Sequence, residues 1–207
     1  MVGKLITDEW PTTRPLYSGS ANLQYLMSIV FTICETFSPG ESSVAGRVCE
    51  LLDGLDLATP YTTRQPRSAE DDGFVFTSQD IFERMIAREE FLEYVHIFGN
   101  YYGTPRRCLQ EARDNRDDLL IKVDERGATQ IKQKLPDAVS ILVLHASSGQ
   151  HEPSPRSYVD EALLYRLREA SQMLNPDKFD HVVTNDRFEE NANQVVAIIR
   201  SERSRRS

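Results

Sequence analysis

The chain is predicted to adopt an α/β fold, a mainly parallel sheet flanked by helices with one inserted lobe. Three observations predict it. Short runs rich in Val, Ile and Leu alternate with stretches of helical periodicity, the pattern of parallel strands joined by crossover helices. The segment 58–105 breaks that alternation and is rich in charge and aromatic residues, so it reads as an insertion. Finally, 207 residues with 40% hydrophobic and 27% charged content suffice for one ordinary core and a small lobe, but not comfortably for two independent domains.

In chain order, residues 1–25 hold two prolines and a Tyr17-Ser18-Gly19-Ser20 run, and read as an N-terminal extension. The core is expected over 26–57 and 106–207, around the lobe at 58–105. Met27 to Ile33 is a short apolar run, consistent with a buried strand. Ser42 to Leu52 reads as a helix with Val44, Val48, Leu51 and Leu52 on one face. Thr77 with Asp80 resembles a capping box ahead of Ile81 and Phe82. Thr104 before Pro105 places a cap residue before a first-turn proline. Leu119 to Val123, Val139 to Leu144 and His181 to Thr184 are strands by their branched residues. Ser157 with Asp160 opens a helix that places Val159, Leu163, Leu164, Leu167 and Leu174 on one face. A last helix from about Arg187 buries Val195, Val196, Ile198 and Ile199, and its arginine-rich tail 200–207 reads as a solvated helix end.

Composition excludes several classes. Twenty-four basic against 32 acidic side chains give a net charge of −8, which disfavours salt-driven nucleic-acid binding. No apolar run approaches the roughly 18–20 residues of a membrane span; the longest, Leu26 to Cys34, is interrupted by Ser28 and Thr32. Asp8 and Glu9 argue against a secretory leader. Cys34, Cys49 and Cys108 cannot all pair and lack metal-ligand spacing, so they read as reduced thiols of a cytoplasmic protein.

Four clusters carry candidate chemistry. Glu35, Thr36, Phe37, Ser38, Pro39, Gly40, Glu41 and Ser42 lie between the first strand and its helix. That is the setting of a phosphate-binding loop, whose pattern is Gly, four residues, then Gly-Lys-Ser/Thr. Only Gly40 and Ser42 match, and an ordinary strand-to-helix turn is the plainer reading. Tyr61-Thr62-Thr63-Arg64-Gln65-Pro66-Arg67 presents two guanidinium forks stiffened by a proline, either an anion clamp or a solvated basic turn. Glu93 precedes a tyrosine pair between Gly99 and Gly103, and the Tyr102 and Thr104 hydroxyls lie beside an expected helix start, where anions are welcome. Lys122-Val123-Asp124-Glu125-Arg126-Gly127 ends a strand, at the edge where such sheets hold ligands.

The order Thr-Thr-Arg-Gln-Pro-Arg, Phe-Leu-Glu, Gly-Asn-Tyr-Tyr-Gly-Thr, then Val-Asp with a following glycine resembles guanylate kinases, over roughly residues 27 to 203. The resemblance implies a P-loop nucleoside-monophosphate kinase fold with a GMP-binding lobe and a lid at about 145–165. It implies ATP and GMP as substrates, with magnesium. Arg64 and Arg67 then correspond to the pair that clamps the GMP phosphate, and Tyr102 to the tyrosine that joins them. Glu93 and Asp124 correspond to acceptors for the guanine N–H donors, with Thr104 near the base. Ser42 would meet magnesium, Arg166 would span the two nucleotides' phosphates, and Asn185-Asp186 matches the adenine-side Asn-Asp.

The departures from that pattern concern charge. Glu41 stands for the phosphate-binding lysine, Glu35 for the first loop glycine, and Lys122 for the first aspartate of Asp-x-Asp. Phe74 replaces a phosphate-binding tyrosine; Pro60 and Tyr61 replace a serine and a histidine. The lid segment His145 to Ser157 is short and keeps only Arg156. A unit charge pair at 4 Å and an effective dielectric of 20 is worth about 4 kcal/mol. Each ~1.4 kcal/mol of barrier is tenfold in rate, so Glu41 alone predicts slower phosphoryl transfer by several orders of magnitude. Lys122, on a neighbouring strand end, is a candidate stand-in cation. The alternative function is an inactive guanylate-kinase-like binding module or GMP sensor.

Overall fold

The computed structural model describes residues 28–35, 43–66, 73–144, 174–185 and 187–206. In chain order the elements are β1 (Val30–Glu35), α1 (Val44–Leu51), β2 (Leu55–Leu57), β3 (Tyr61–Thr62), β4 (Val75–Phe76), α2 (Gln79–Ala87), β5 (Phe91–Ile97), β6 (Asn100–Pro105), α3 (Arg106–Asn115), β7 (Asp118–Lys122), α4 (Glu125–Lys134), β8 (Val139–Leu144), β9 (His181–Thr184) and α5 (Phe188–Arg206). They form two compact units, one of Ala58–Asp117 and one of Ile29–Leu57 with the chain from 118 onward. Helix α3 belongs to the first.

The larger unit is a five-stranded sheet in the order β2-β7-β1-β8-β9, every pairing parallel. Parallel sheets bury both faces, which is why β1 and β8 read as nearly continuous apolar runs. Phe31, Ile33, Ile141 and Val143 pack with Val44 and Val48 of α1 and Val195 and Ile199 of α5. Ile131 of α4 is fully buried, and α4 packs against β1 and β8. The chain from Met27 to Ile33 was expected as strand; pairing instead carries β1 on through Cys34↔Leu142 and Glu35↔Val143. That shift places the Glu35 side chain at the carboxyl end of the central strand.

The arginine-rich end of α5 is not a solvated tail. Arg203 Nε reaches Asp118 Oδ2 at 2.7 Å, and its other nitrogens donate to the Asp53 and Gly54 carbonyls. Arg206 donates to the Asp137 carbonyl. These bonds fasten the helix end onto the turn that enters β2, the first residue of β7 and the turn that enters β8.

The smaller unit is a four-stranded sheet in the order β4-β3-β6-β5. Phe82 of α2 is fully buried and stacks between Phe91, at 4.4 Å, and Tyr101, at 5.1 Å. The β5–β6 hairpin turns on Phe98 and Gly99, both at positive φ (50° and 78°), the twist that two-residue hairpins favour. Two caps differ from expectation. Ser78, not Thr77, caps α2, because its Oγ accepts from Ile81 N. Helix α3 starts with no side-chain cap, because the Thr104 hydroxyl is turned to Glu93 instead. The expected helix from Ser157 and the lid lie outside the described residues.

Candidate active site

In the smaller unit, the Thr62-Thr63-Arg64 run is clipped to β6 by its threonines. Thr62 Oγ1 donates to the Tyr101 carbonyl at 3.0 Å and accepts from Arg64 N at 3.2 Å. Thr63 Oγ1 accepts from Tyr101 N at 2.9 Å. Two β-branched hydroxyl residues thus hold the arginine's backbone still. The Arg64 guanidinium lies over the Phe74 ring at 4.8 Å and the Phe76 ring at 5.1 Å, and Tyr102 meets Phe74 edge-on at 6.0 Å. Sequence reasoning counted Phe74 as a lost hydroxyl and passed over Phe76; together they are a cation–π seat for the arginine. The signal was present in Phe74-Val75-Phe76, where Phe74 immediately precedes β4 and its ring lies 6.3 Å from that of Phe76.

Glu93 is 4% exposed. Its Oε1 accepts from Thr104 N at 2.8 Å and from Thr104 Oγ1 at 2.7 Å. A charge so deep requires such partners, which explains why Thr104 serves the carboxylate and not a helix cap. The close approach of β5 and β6 here depends on Gly103. A Cβ at that position would lie 2.9 Å from the Glu93 carbonyl oxygen and 2.9 Å from Tyr94 Cβ. The Tyr-Tyr-Gly-Thr stretch therefore combines a phenol, a steric gap and an anchor for a buried acid.

The sheet unit holds the remaining described candidates. Asp124 begins α4: its Oδ1 accepts from Gly127 N at 2.9 Å and its Oδ2 pairs with Arg126 at 2.8 Å. Asn185 bridges β9 and α5, with Nδ2 donating to Glu190 Oε2 at 2.6 Å and Oδ1 accepting from Arg187 N at 3.0 Å. Glu35 Oε1 accepts from Ala45 N, in the first turn of α1, at 2.8 Å. Glu35 Oε2 lies 3.4 Å from Lys122 Nζ. This pairing was missed in the sequence, although both members are departures from the family pattern and of opposite sign. Burial first, then the charges of Asp124, Glu125 and Glu35, pushes the Cys34 thiol up to about 12. It stays protonated and is no nucleophile.

Arg67, Arg166 and the loop 36–42, with Gly40, Glu41 and Ser42, lie outside the described residues. So does Asp186. Among the described residues no group of three His, Cys, Asp or Glu side chains is placed to hold a metal ion, and no helix is long and apolar enough to cross a membrane.

A five-stranded parallel sheet flanked by helices, joined in sequence to a lobe that holds a buried acid and an arginine seat, is the fold of nucleoside-monophosphate kinases. Comparison with known proteins narrows this. The Guanylate kinase family model matches residues 52–202. A guanylate kinase of Koribacter versatilis is 36% identical over 187 residues, covering 86% of this chain and 80% of that protein. One from Rickettsia bellii is 32% identical over 185 residues, covering 86% and 97%. The crystal structure of guanylate kinase from Anaplasma phagocytophilum shares the fold, with a TM-score of 0.63 at 24% identity over 84% of this chain and 86% of that one. The chain belongs to the guanylate kinase family, and so to the nucleotide-binding transferases that phosphorylate nucleoside monophosphates. The family match begins at residue 52, after β1, the loop and α1.

Proposed function

We propose that this chain transfers the γ-phosphoryl group of ATP to GMP, giving ADP and GDP. An oxygen of the GMP phosphate forms the new bond to phosphorus as the bond to ADP breaks. The observation that carries the reading is the buried Glu93 carboxylate fastened by Thr104. A guanine edge offers N–H donors at N1 and N2, which a carboxylate accepts and which adenine lacks. In this reading residues 58–105 are the GMP lobe. Glu93 and Asp124 read the base, and Arg64, Arg67 and Tyr102 hold its phosphate. The core is 26–57 and 106–207, with ATP on the loop 35–42, Asn185 beside the adenine, and Arg166 brought by the lid at 145–165. Magnesium enters as the counter-ion of ATP, and Ser42 would be its protein ligand.

Turnover is slow in this reading, because Glu41 repels the phosphates that a lysine would draw in. The test is ADP release from magnesium-ATP with GMP, with AMP and with no acceptor. Release that requires GMP and ignores AMP is the expected result. ADP release that is indifferent to GMP would overturn it. A second reading, a GMP-holding module without transfer, is favoured by the Glu35–Lys122 pair. Its sign is GMP binding with no ADP release.

A further inference from the structure

An arginine of a solvated basic turn ranges over many rotamers. Arg64 instead lies against aromatic rings. Its guanidinium carbon is 4.8 Å from the Phe74 centroid and 5.1 Å from that of Phe76, and its Nη1 donates to the Gln65 carbonyl at 3.1 Å. Each of these partners is neutral. A carboxylate would fix a guanidinium and cancel its charge, whereas a ring face attracts the cation and carries no net charge. Ring faces also meet the flat side of the group, while its N–H donors lie in the plane and point away from it. Such a seat orients a cation and keeps it attractive to an anion. The register of the sheet assembles the parts. Thr62 of β3 is aligned with Phe76 of β4 on one side and with Tyr102 of β6 on the other, and Thr62 Oγ1 accepts from Arg64 N at 3.2 Å. Phe74 meets Tyr102 edge-on at 6.0 Å, so it serves the phenol as well as the arginine. Phe76 meets Arg64 and the Phe74 ring, which makes it the residue that tests the arginine's support.

We infer that Phe76 is a positioning residue for anion binding: with Phe74 it holds the Arg64 guanidinium in place without cancelling its charge, so that Arg64 meets the phosphate monoester of the acceptor nucleotide already oriented. The inference rests on the reading of GMP as acceptor. It deepens that reading by naming a side chain that sets the phosphate's share of the affinity while touching no part of the nucleotide. It also accounts for Phe74, where the ring keeps its place under the arginine although the hydroxyl of the family pattern is gone. Arg64, Phe74, Phe76 and Tyr102 all belong to the unit of residues 58–117.

The test titrates the full chain and two variants with GMP, with guanosine and with inorganic phosphate. Phe76→Leu keeps apolar bulk and removes the ring face; Phe76→Tyr keeps the face. Phe76→Met takes the place of Phe76→Leu if the thermal transition shows the latter unfolded. Calorimetry reads GMP and guanosine. Phosphate is read by NMR at the Arg64 Nε–H signal, assigned by its loss in Arg64→Lys. GMP is expected to bind about fivefold more weakly to Phe76→Leu, the effect of losing one cation–π contact, with guanosine unchanged. In Phe76→Tyr the GMP affinity is expected within about twofold of the parent. The Arg64 signal should carry a ring-current shift in the parent and in Phe76→Tyr, and lose much of it in Phe76→Leu. GMP and guanosine weakened alike would assign Phe76 to the fold of the lobe and overturn the inference. So would an unchanged GMP affinity in Phe76→Leu, a Phe76→Tyr as weak as Phe76→Leu, or an Arg64 signal without ring-current shift in the parent. A parent chain that binds no GMP sinks the proposed function. In that case a phosphate response at Arg64 that fades in Phe76→Leu still supports the seat, and its absence overturns the inference as well.

Discussion

The unit of residues 58–117 and the sheet unit depart from the guanylate kinase pattern in different ways. In the first, Phe74 for tyrosine removes a hydroxyl, but the ring remains and seats Arg64 with Phe76. Glu93, Thr104, Tyr102 and the steric gap at Gly103 stay together. In the sheet unit the resemblance implies a change in the sign of charge: Glu35 stands for a glycine, Glu41 for a lysine and Lys122 for an aspartate. A site that reads a base by hydrogen bonds and shape survives the loss of one hydroxyl, worth about 1 kcal/mol. A site for polyphosphate depends on the sum of charge near it, where each reversal is worth several times more. Within the proposed function, the comparison therefore places base recognition in the lobe and altered electrostatics on the donor side.

The largest expected effect strikes the lobe alone. Phe82→Ala empties the centre of a fully buried aromatic stack, and should cost about 3–5 kcal/mol. Hydrogen exchange should show β5 and β6 losing protection while β1 and β8 keep theirs. Equal loss in both units would mean that they unfold as one, and the comparison would lose its basis. Next in size, Glu93→Gln retains an acceptor for Thr104 and removes the charge. GMP affinity should fall about 100-fold, near the upper worth of a buried charge-assisted hydrogen bond; calorimetric titration with GMP measures it. An unchanged affinity would assign Glu93 to the fold and not to the base.

These expectations also mark what was legible in the sequence. β8 and β9 lie where their branched residues placed them; for β8 this is because a buried parallel strand is written in its own composition, while β9 is an edge strand in which Val183 alone is buried. β2, β3 and β4 are two or three residues long and have no periodicity to read. The Thr-Thr-Arg and Tyr-Tyr-Gly-Thr stretches stood out as residues that touch ligand. Their threonines and glycine turn out to hold the backbone, a role that needs the cross-strand partner to be known. Glu35 and Lys122 are far apart in sequence. Only the alignment of β1 against β7 makes them neighbours, so their pairing was not legible at all. The end of α5 was misread for the same reason: Asp118, Asp53 and Gly54 meet Arg203 only once the sheet is formed.

Two smaller effects sharpen the comparison. Phe74→Tyr restores the hydroxyl of the family pattern while keeping the ring under Arg64. GMP should bind about fivefold tighter, the worth of roughly 1 kcal/mol, with no change for ATP. A gain for ATP as well would show that the two sides are not separable. The smallest effect belongs to Asp180, which ties β8 to the entry of β9. Burial opposes its charge, but bonds from Lys132 Nζ, Ser140 N and Ser140 Oγ hold its carboxyl below the usual range. A depressed folded value adds stability above the unfolded value of about 3.9, and that stability is lost as pH falls through the folded value. Asp180→Asn should thus melt earlier than the parent at pH 7, and the gap should close below about pH 4. A gap that persists in acid would assign its effect to shape alone.

The central claim of the proposed function, an acceptor side kept and a donor side altered in its charges, is tested most directly by titrating one preparation of this chain with GMP and with magnesium-ATP in separate calorimetric runs. The account predicts that GMP binds at least about tenfold more tightly than magnesium-ATP. Magnesium-ATP binding as tightly as GMP, or more tightly, would contradict it.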